Sequence, residues 1–202
     1  MRIERLAIDG AFVVTPRQLR DDRGTFFESF RGDHLAEHLG HRPDVLQTNV
    51  SVSVRGTVRG IHFADVPPGQ AKFVTAVSGS LLDYVVDIRV GSPTFGRSEA
   101  VLLDTLERRA VYLSEGLGHA FCALEDGTTA MYLCTATYNP AGEHGIHPLD
   151  PAVGLPLPED VDPRLSPRDD AAPSLAEAEA SGLLPSYAVC TAWAATLAQR
   201  GN

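Results

Sequence analysis

The sequence predicts an all-β fold, an antiparallel barrel or jelly roll with short helices at its end, and three observations carry that prediction. Most of the chain from Phe12 to Tyr138 divides into short strand-like runs separated by turn signals, the pattern of sandwiches and barrels. Leu46 to Val54, LQTNVSVSV, alternates with a period of two, which sets Gln47, Asn49, Ser51 and Ser53 on one face. Helix-favouring composition gathers at the C-terminal end instead of alternating with strands, which argues against an α/β fold.

Taken in order, the first regular feature after the early strands is a short helix over Asp33 to Leu39, with Asp33 as its cap and Gly40 ending it. Strands are expected at Leu46–Val54, Val58–Phe63, Lys72–Val77, Leu81–Arg89, Ala110–Leu113, His119–Leu124 and Ala130–Tyr138. Pro67-Pro68-Gly69, Gly91-Ser92-Pro93 and Asp126-Gly127 punctuate them. From Leu149 to Pro173 the composition shifts to Pro and Asp, which predicts an extended crossing segment outside the core. Ser174 with Glu177 three residues on forms a capping box, and Leu175–Leu184 and Tyr187–Gln199 are Ala-rich and helical. At 202 residues the chain is expected to be one domain over 1–202, with 174–202 a helical extension.

Bulk properties narrow the function. The net charge of -9 excludes a broad nucleic-acid or anionic-membrane surface, because such surfaces need clustered Lys and Arg. Without a long apolar run or a signal-peptide pattern, the protein is expected to be soluble and cytoplasmic. Cys122, Cys134 and Cys190 are widely spaced, with no CxxC pair, and read as reduced, buried thiols. GxGxxG and Walker patterns are absent, so a tightly held NAD or ATP is not expected.

The chemistry concentrates in Val58-Arg59-Gly60-Ile61-His62-Phe63 and, after the Pro-Pro-Gly turn, Gln70-Ala71-Lys72-Phe73. A hairpin centred near Pro67 would set His62 opposite Lys72, with Cβ atoms roughly 4.5–5.5 Å apart. An isolated histidine in an apolar strand is commonly a satisfied core residue. Convergence shifts the reading: Arg59, His62, Lys72, His119 and Tyr132 are all polar groups within core-like strands, where uncompensated burial would be costly. Tyr132 and Tyr138, six residues apart, would share one face of the last strand, either as core aromatics or with one hydroxyl as a proton donor. A metal site of the HxH type is not expected. His62 has no second His two residues away, and Glu143-His144-Gly145-Ile146-His147 reads as a solvated loop.

Taken together, Asp22-Arg23-Gly24-Thr25-Phe26-Phe27-Glu28, Gln47-Thr48-Asn49, the two segments just described, Gly91-Ser92-Pro93-Thr94-Phe95-Gly96, Gly116-Leu117-Gly118-His119-Ala120-Phe121 and Ser166-Pro167-Arg168-Asp169 resemble the dTDP-4-dehydrorhamnose 3,5-epimerase family. Ser51 to Gly56 and His147 to Pro151 are similar to its antibiotic-sugar branch, some of whose members invert one centre. The resemblance implies a cupin-like jelly roll, a homodimer, no cofactor, and a 4-keto-6-deoxyhexose carried on dTDP. It implies His62 as base with Asp169 on its far nitrogen, Lys72 near the sugar ketone and Tyr132 as proton donor. Arg59 and Arg23 are implied at the pyrophosphate, Arg23 reaching a neighbouring subunit's site. Phe26, Glu28, Gln47 and Asn49 are implied at the thymidine end, and His119 and Tyr138 near the sugar or phosphate. For Phe26 core packing, and for Glu28 and Asn49 a structural hydrogen bond, stay open beside these roles. Three positions depart from the family pattern: Ala64-Asp65 where Gln is common, Leu133 where Lys follows the tyrosine, and Leu157-Pro158 in place of Trp-Pro. The expected reaction is inversion of carbon 3 of dTDP-4-keto-6-deoxy-D-glucose, with a 3,5-epimerase or a metal-dependent cupin as the alternatives.

Overall fold

A computed structural model describes residues 1–200; Gly201 and Asn202, the end of the expected extension, lie outside the described residues. The strands are β1 (Arg2–Arg5), β2 (Ala11–Thr15), β3 (Leu19–Asp21), β4 (Gly24–Phe26), β5 (Gln47–Ser53), β6 (Val58–Ala64), β7 (Lys72–Ser78), β8 (Leu81–Val86), β9 (Ser98–Leu103), β10 (Ala110–Leu113), β11 (Gly118–Ala123), β12 (Thr128–Cys134) and β13 (Glu143–Gly145). The helices are α1 (Gly32–Leu39), α2 (Pro167–Asp170), α3 (Leu175–Ala180) and α4 (Tyr187–Arg200). A six-stranded sheet runs β1-β2-β10-β7-β12-β5, a five-stranded sheet runs β13-β6-β11-β8-β9, and β3 with β4 forms a separate ribbon. The fold is the expected all-β, cupin-like one.

Alternation along the strands builds the core. Leu81 and Val85 of β8, Phe121 and Ala123 of β11, Val74 and Ala76 of β7 and Ala130 of β12 meet between the sheets. The intervening residues Tyr84, Val86, Ala120 and Cys122 turn outward, against Val153, Leu175 and Ala178. The crossing segment therefore contributes to a core, contrary to expectation. Proline fixes its extended path, but apolar residues between the prolines still need cover. On the other sheet, Phe12, Phe73 and Tyr112 are covered by Leu35 of α1. The outward side of β5 has no such cover: Val50 and Val52 are 61% and 65% exposed.

Several local expectations are corrected. The largest concerns the Pro67 turn, which does not close a hairpin. β6 and β7 belong to different sheets, and Lys72 pairs with Cys134 and Leu113 while His62 pairs with His119 and Gly145. Two adjacent prolines leave no amide hydrogens for a ladder, so the chain crosses from one sheet to the other. Strand β12 ends at Cys134, so Tyr138 lies in the following loop, half exposed, and shares no strand face with Tyr132. Glu143–Gly145 is an edge strand on β6, partly buried, where a solvated loop was expected. Helix α1 starts one residue early, and Asp33 does not cap it. Its carboxylate instead pairs with Arg31 at 2.6 Å, while Gly40 ends the helix at φ 77° as expected. The Ser174–Glu177 capping box forms in both directions. All three cysteines are free and buried. No described helix is long and apolar enough to cross a membrane.

Candidate active site

One end of the space between the sheets is polar. On the five-stranded side, His62 Nε2 lies 2.6 Å from Oδ1 of Asp169. Asp169 is delivered by α2, whose start is fixed by Pro167 at its first position and by Ser166, whose Oγ accepts the Asp169 amide at 3.1 Å. Burial alone would raise the Asp169 pKa. Hydrogen bonding from His62, its charge, and bonds from Ser166 and the Gly60 backbone outweigh that and hold the carboxyl below its ordinary range. An ionised carboxylate only accepts, so the imidazole proton sits on Nε2 and the lone pair on Nδ1.

A bulge brings a second group to the same face. Arg59 and His62 are three apart and would point to opposite sides of a regular strand. Here Phe121 opposes Arg59 while His119 opposes His62, so three steps on β6 match two on β11. Arg59 consequently reaches across to Ser53 Oγ of β5, at 3.3 Å. Gly60 makes this possible. Its φ is +117°, and a Cβ there would meet the His119 carbonyl and lie 2.7 Å from Ala120 Cα. We expect Gly60→Ala to destabilise the protein by about 2–4 kcal/mol, from backbone strain plus overpacking, read as a drop in the urea midpoint. An unchanged midpoint would contradict the packing described.

The six-stranded sheet supplies the facing wall. Lys72, partly buried, lies in the inward row with Val74 and Ala76, and burial lowers its pKa against the opposing influence of Cys134, Glu143 and Asp83. Tyr132 packs edge-on against His119, ring centroids 5.8 Å apart, and its hydroxyl lies 3.1 Å from Ser51 Oγ. Burial pushes the phenol pKa up, so the hydroxyl stays protonated. Gln47 and Asn49 share the inward face of β5, Gln47 Nε2 donating to Asn49 Oδ1 at 2.9 Å, and Gln47 Oε1 accepts the Tyr138 amide at 2.8 Å. His119 is buried, Nε2 at 2.7 Å from Asp83 Oδ2.

Arg23, Phe26 and Glu28 are not brought to this cluster within the protomer. Arg23 pairs with Asp21, Glu28 with Arg31 at 2.9 Å, and Phe26 is 67% exposed on the ribbon. A surface cavity of about 510 Å3 is lined by ribbon residues alone. Core packing for Phe26 is thereby corrected. Among the described residues, no three His, Cys, Asp or Glu side chains gather as a metal site. His144 is instead paired with Asp65 at 2.8 Å.

Sequence reasoning missed Asp83, which is completely buried. Its signal was present: a carboxylate in the middle of Leu81-Leu82-Asp83-Tyr84-Val85-Val86, with period-two neighbours Leu81 and Val85 in the core. It also passed over the scarcity of lysine. Of 17 basic residues sixteen are arginine, and Lys72 is the single lysine.

The family pattern described as dTDP-4-dehydrorhamnose 3,5-epimerase matches residues 5–177. The chain belongs to that family. The dTDP-4-dehydrorhamnose 3-epimerase of Streptomyces niveus is 55% identical over 192 residues, 95% of this chain and 92% of that protein. The dTDP-4-dehydrorhamnose 3,5-epimerase of Mycolicibacterium smegmatis is 54% identical over 98% of this chain and 97% of its own length. Among solved structures, the 3'-monoepimerase ChmJ of Streptomyces bikiniensis, in complex with dTDP-quinovose, superposes with a TM-score of 0.94 at 48% identity, covering 96% of this chain and 98% of ChmJ. This protein is accordingly a carbohydrate epimerase, an isomerase similar to the antibiotic-associated members of its family. Its two-sheet architecture divides the candidate site between two walls.

Proposed function

We propose that the enzyme inverts carbon 3 of dTDP-4-keto-6-deoxy-D-glucose, in deoxysugar biosynthesis for a natural product, in the cytoplasm. The observation that carries the reading is the placement of His62 with Asp169 on one sheet and Tyr132 with Lys72 on the facing one. A hydrogen beside a ketone is acidic, so inversion needs a base on one face of the ring, support for the enolate, and a donor on the other. His62 Nδ1 removes the proton, and Asp169 stabilises the imidazolium that forms. Lys72 stabilises the enolate oxygen more than the neutral ketone, which lowers the barrier rather than merely tightening binding. Tyr132 returns a proton from the opposite wall. No step calls for a redox cofactor or a metal. Arg59 suits the pyrophosphate through its guanidinium fork, Gln47 and Asn49 suit the base, and His119 and Tyr138 border the sugar or phosphate.

Proton NMR in heavy water with dTDP-4-keto-6-deoxy-D-glucose tests this. Loss of the carbon 3 signal alone is expected. Loss of both the carbon 3 and carbon 5 signals would make the enzyme a 3,5-epimerase, and no loss at either would overturn the reading for this substrate.

A homodimer completes the proposal. The bare apolar row Val50 and Val52 on β5 and the projecting ribbon with Arg23, Phe26 and Glu28 suit an interface in which each ribbon enters the other subunit's site. Sedimentation is expected to give a dimer, and Val52→Glu a monomer with weakened dTDP binding. A wild-type monomer with full activity would contradict it.

A further inference from the structure

Asp83 is a carboxylate set into the apolar interior, and that is the feature the proposed reaction leaves unexplained. It lies on the inward row of β8 between Leu81 and Val85, completely buried. One oxygen is satisfied: Oδ2 is 2.7 Å from His119 Nε2. The other, Oδ1, is buried without a partner among the described residues. An anion so placed is costly unless a cation shares the space. The facing inward row of β7 supplies one, because Lys72, Val74 and Ala76 point into the same interior that Leu81 and Val85 fill.

We propose that Asp83 is a positioning residue, the buried counter-charge that keeps the chain's single lysine protonated from the opposite sheet while its bond to His119 fixes its own orientation. The inference rests on the catalytic reading given above for Lys72. The groups facing Lys72 are Cys134 on β12, Glu143 on β13 and Asp83 on β8. Burial pushes the Cys134 thiol up, so it stays neutral. Glu143 is partly exposed at the rim, within 3.5 Å of Gln70 Nε2. Asp83 is the fully buried anion of the three. Burial lowers the Lys72 pKa, and Cys134, Glu143 and Asp83, in that order, oppose the fall, Asp83 alone of the three from the facing inward row. Removing the Asp83 charge therefore deprotonates Lys72 at lower pH and takes enolate stabilisation away with it.

A single lysine makes the test direct. Protein grown with 13C-labelled lysine gives one lysine ε-carbon resonance, whose pH titration reports Lys72 alone. In Asp83→Asn, nearly the same shape, the titration midpoint is expected to fall below the wild-type value. The alkaline limb of kcat should move down by the same amount, with KM changed by less than about threefold. A lysine midpoint equal in the two proteins would overturn the proposal, since a merely structural role for Asp83 would lower the melting temperature without moving it. If Asp83→Asn is too unstable to titrate, Lys72→Met in the same chain should restore the lost melting temperature, because both buried charges are then gone. A double variant no more stable than the single would count against the pair. The titration requires no turnover, so failure of the epimerase reading leaves it decisive.

Discussion

Replacing His62 with alanine is expected to lower epimerisation by about 10³–10⁴-fold, the upper range of what a positioned base contributes. Solvent deuterium exchange beside the ketone should fall in parallel, because both require the same proton abstraction. Binding of dTDP should change little, since the groups proposed for the nucleotide, Arg59, Gln47 and Asn49 among them, do not include His62. A second consequence is structural. Asp169 is buried and would lose its imidazole partner, costing about 1–3 kcal/mol. His62→Asn separates the two effects, because its amide can still donate to Asp169 but cannot act as a base at neutral pH. An Asn variant that keeps more than a tenth of wild-type exchange would remove His62 from the mechanism. The pH dependence has a definite sign. Folding lowers the Asp169 pKa, so this pair stabilises the fold above the ordinary carboxylate range. That contribution is lost as the pH falls through the folded value.

Tyr132→Phe separates the two halves of the reaction. The base remains, so deuterium exchange at the reacting carbon should persist. The donor on the opposite wall is gone, and inverted product should fall by about 10²–10³-fold. Quantifying deuterium uptake and epimer in the same NMR samples gives both readings. Stability should hardly change, because Phe fills the same space and the partner left behind, Ser51 Oγ, lies on the partly exposed β5 strand. Equal loss of exchange and inversion would show that Tyr132 serves enolate formation rather than proton delivery.

Local signals were legible wherever a residue's neighbours in sequence decide its environment. The alternation of LQTNVSVSV placed Gln47, Asn49, Ser51 and Ser53 on one face, and they share one, with Gln47 at Asn49, Ser51 at Tyr132 and Ser53 at Arg59. The Ser174–Glu177 cap formed because its partners are three residues apart. The end of β12 was overrun by four residues. Ladder pairing with β5 and β7 stops at Cys134, and no propensity in the next residues marks that stop.

The sequence alone determined the all-β class, the family, and the polar residues embedded in core strands, because period-two alternation and spaced motifs are properties of the chain itself. Only the tertiary structure decided which of those residues meet. A two-proline turn can reverse a strand within one sheet or carry it to another, and only packing of both apolar faces selects the crossing seen at Pro67. Nor does the alternation rule survive a bulge, so the shared face of Arg59 and His62 depended on the close approach of Gly60 to β11. Asp83 illustrates the remaining gap. Its burial followed from its neighbours in β8, but its facing the row that carries Lys72 depended on two sheets, joined at β7 and β8 by only Gly79 and Ser80, closing on one interior.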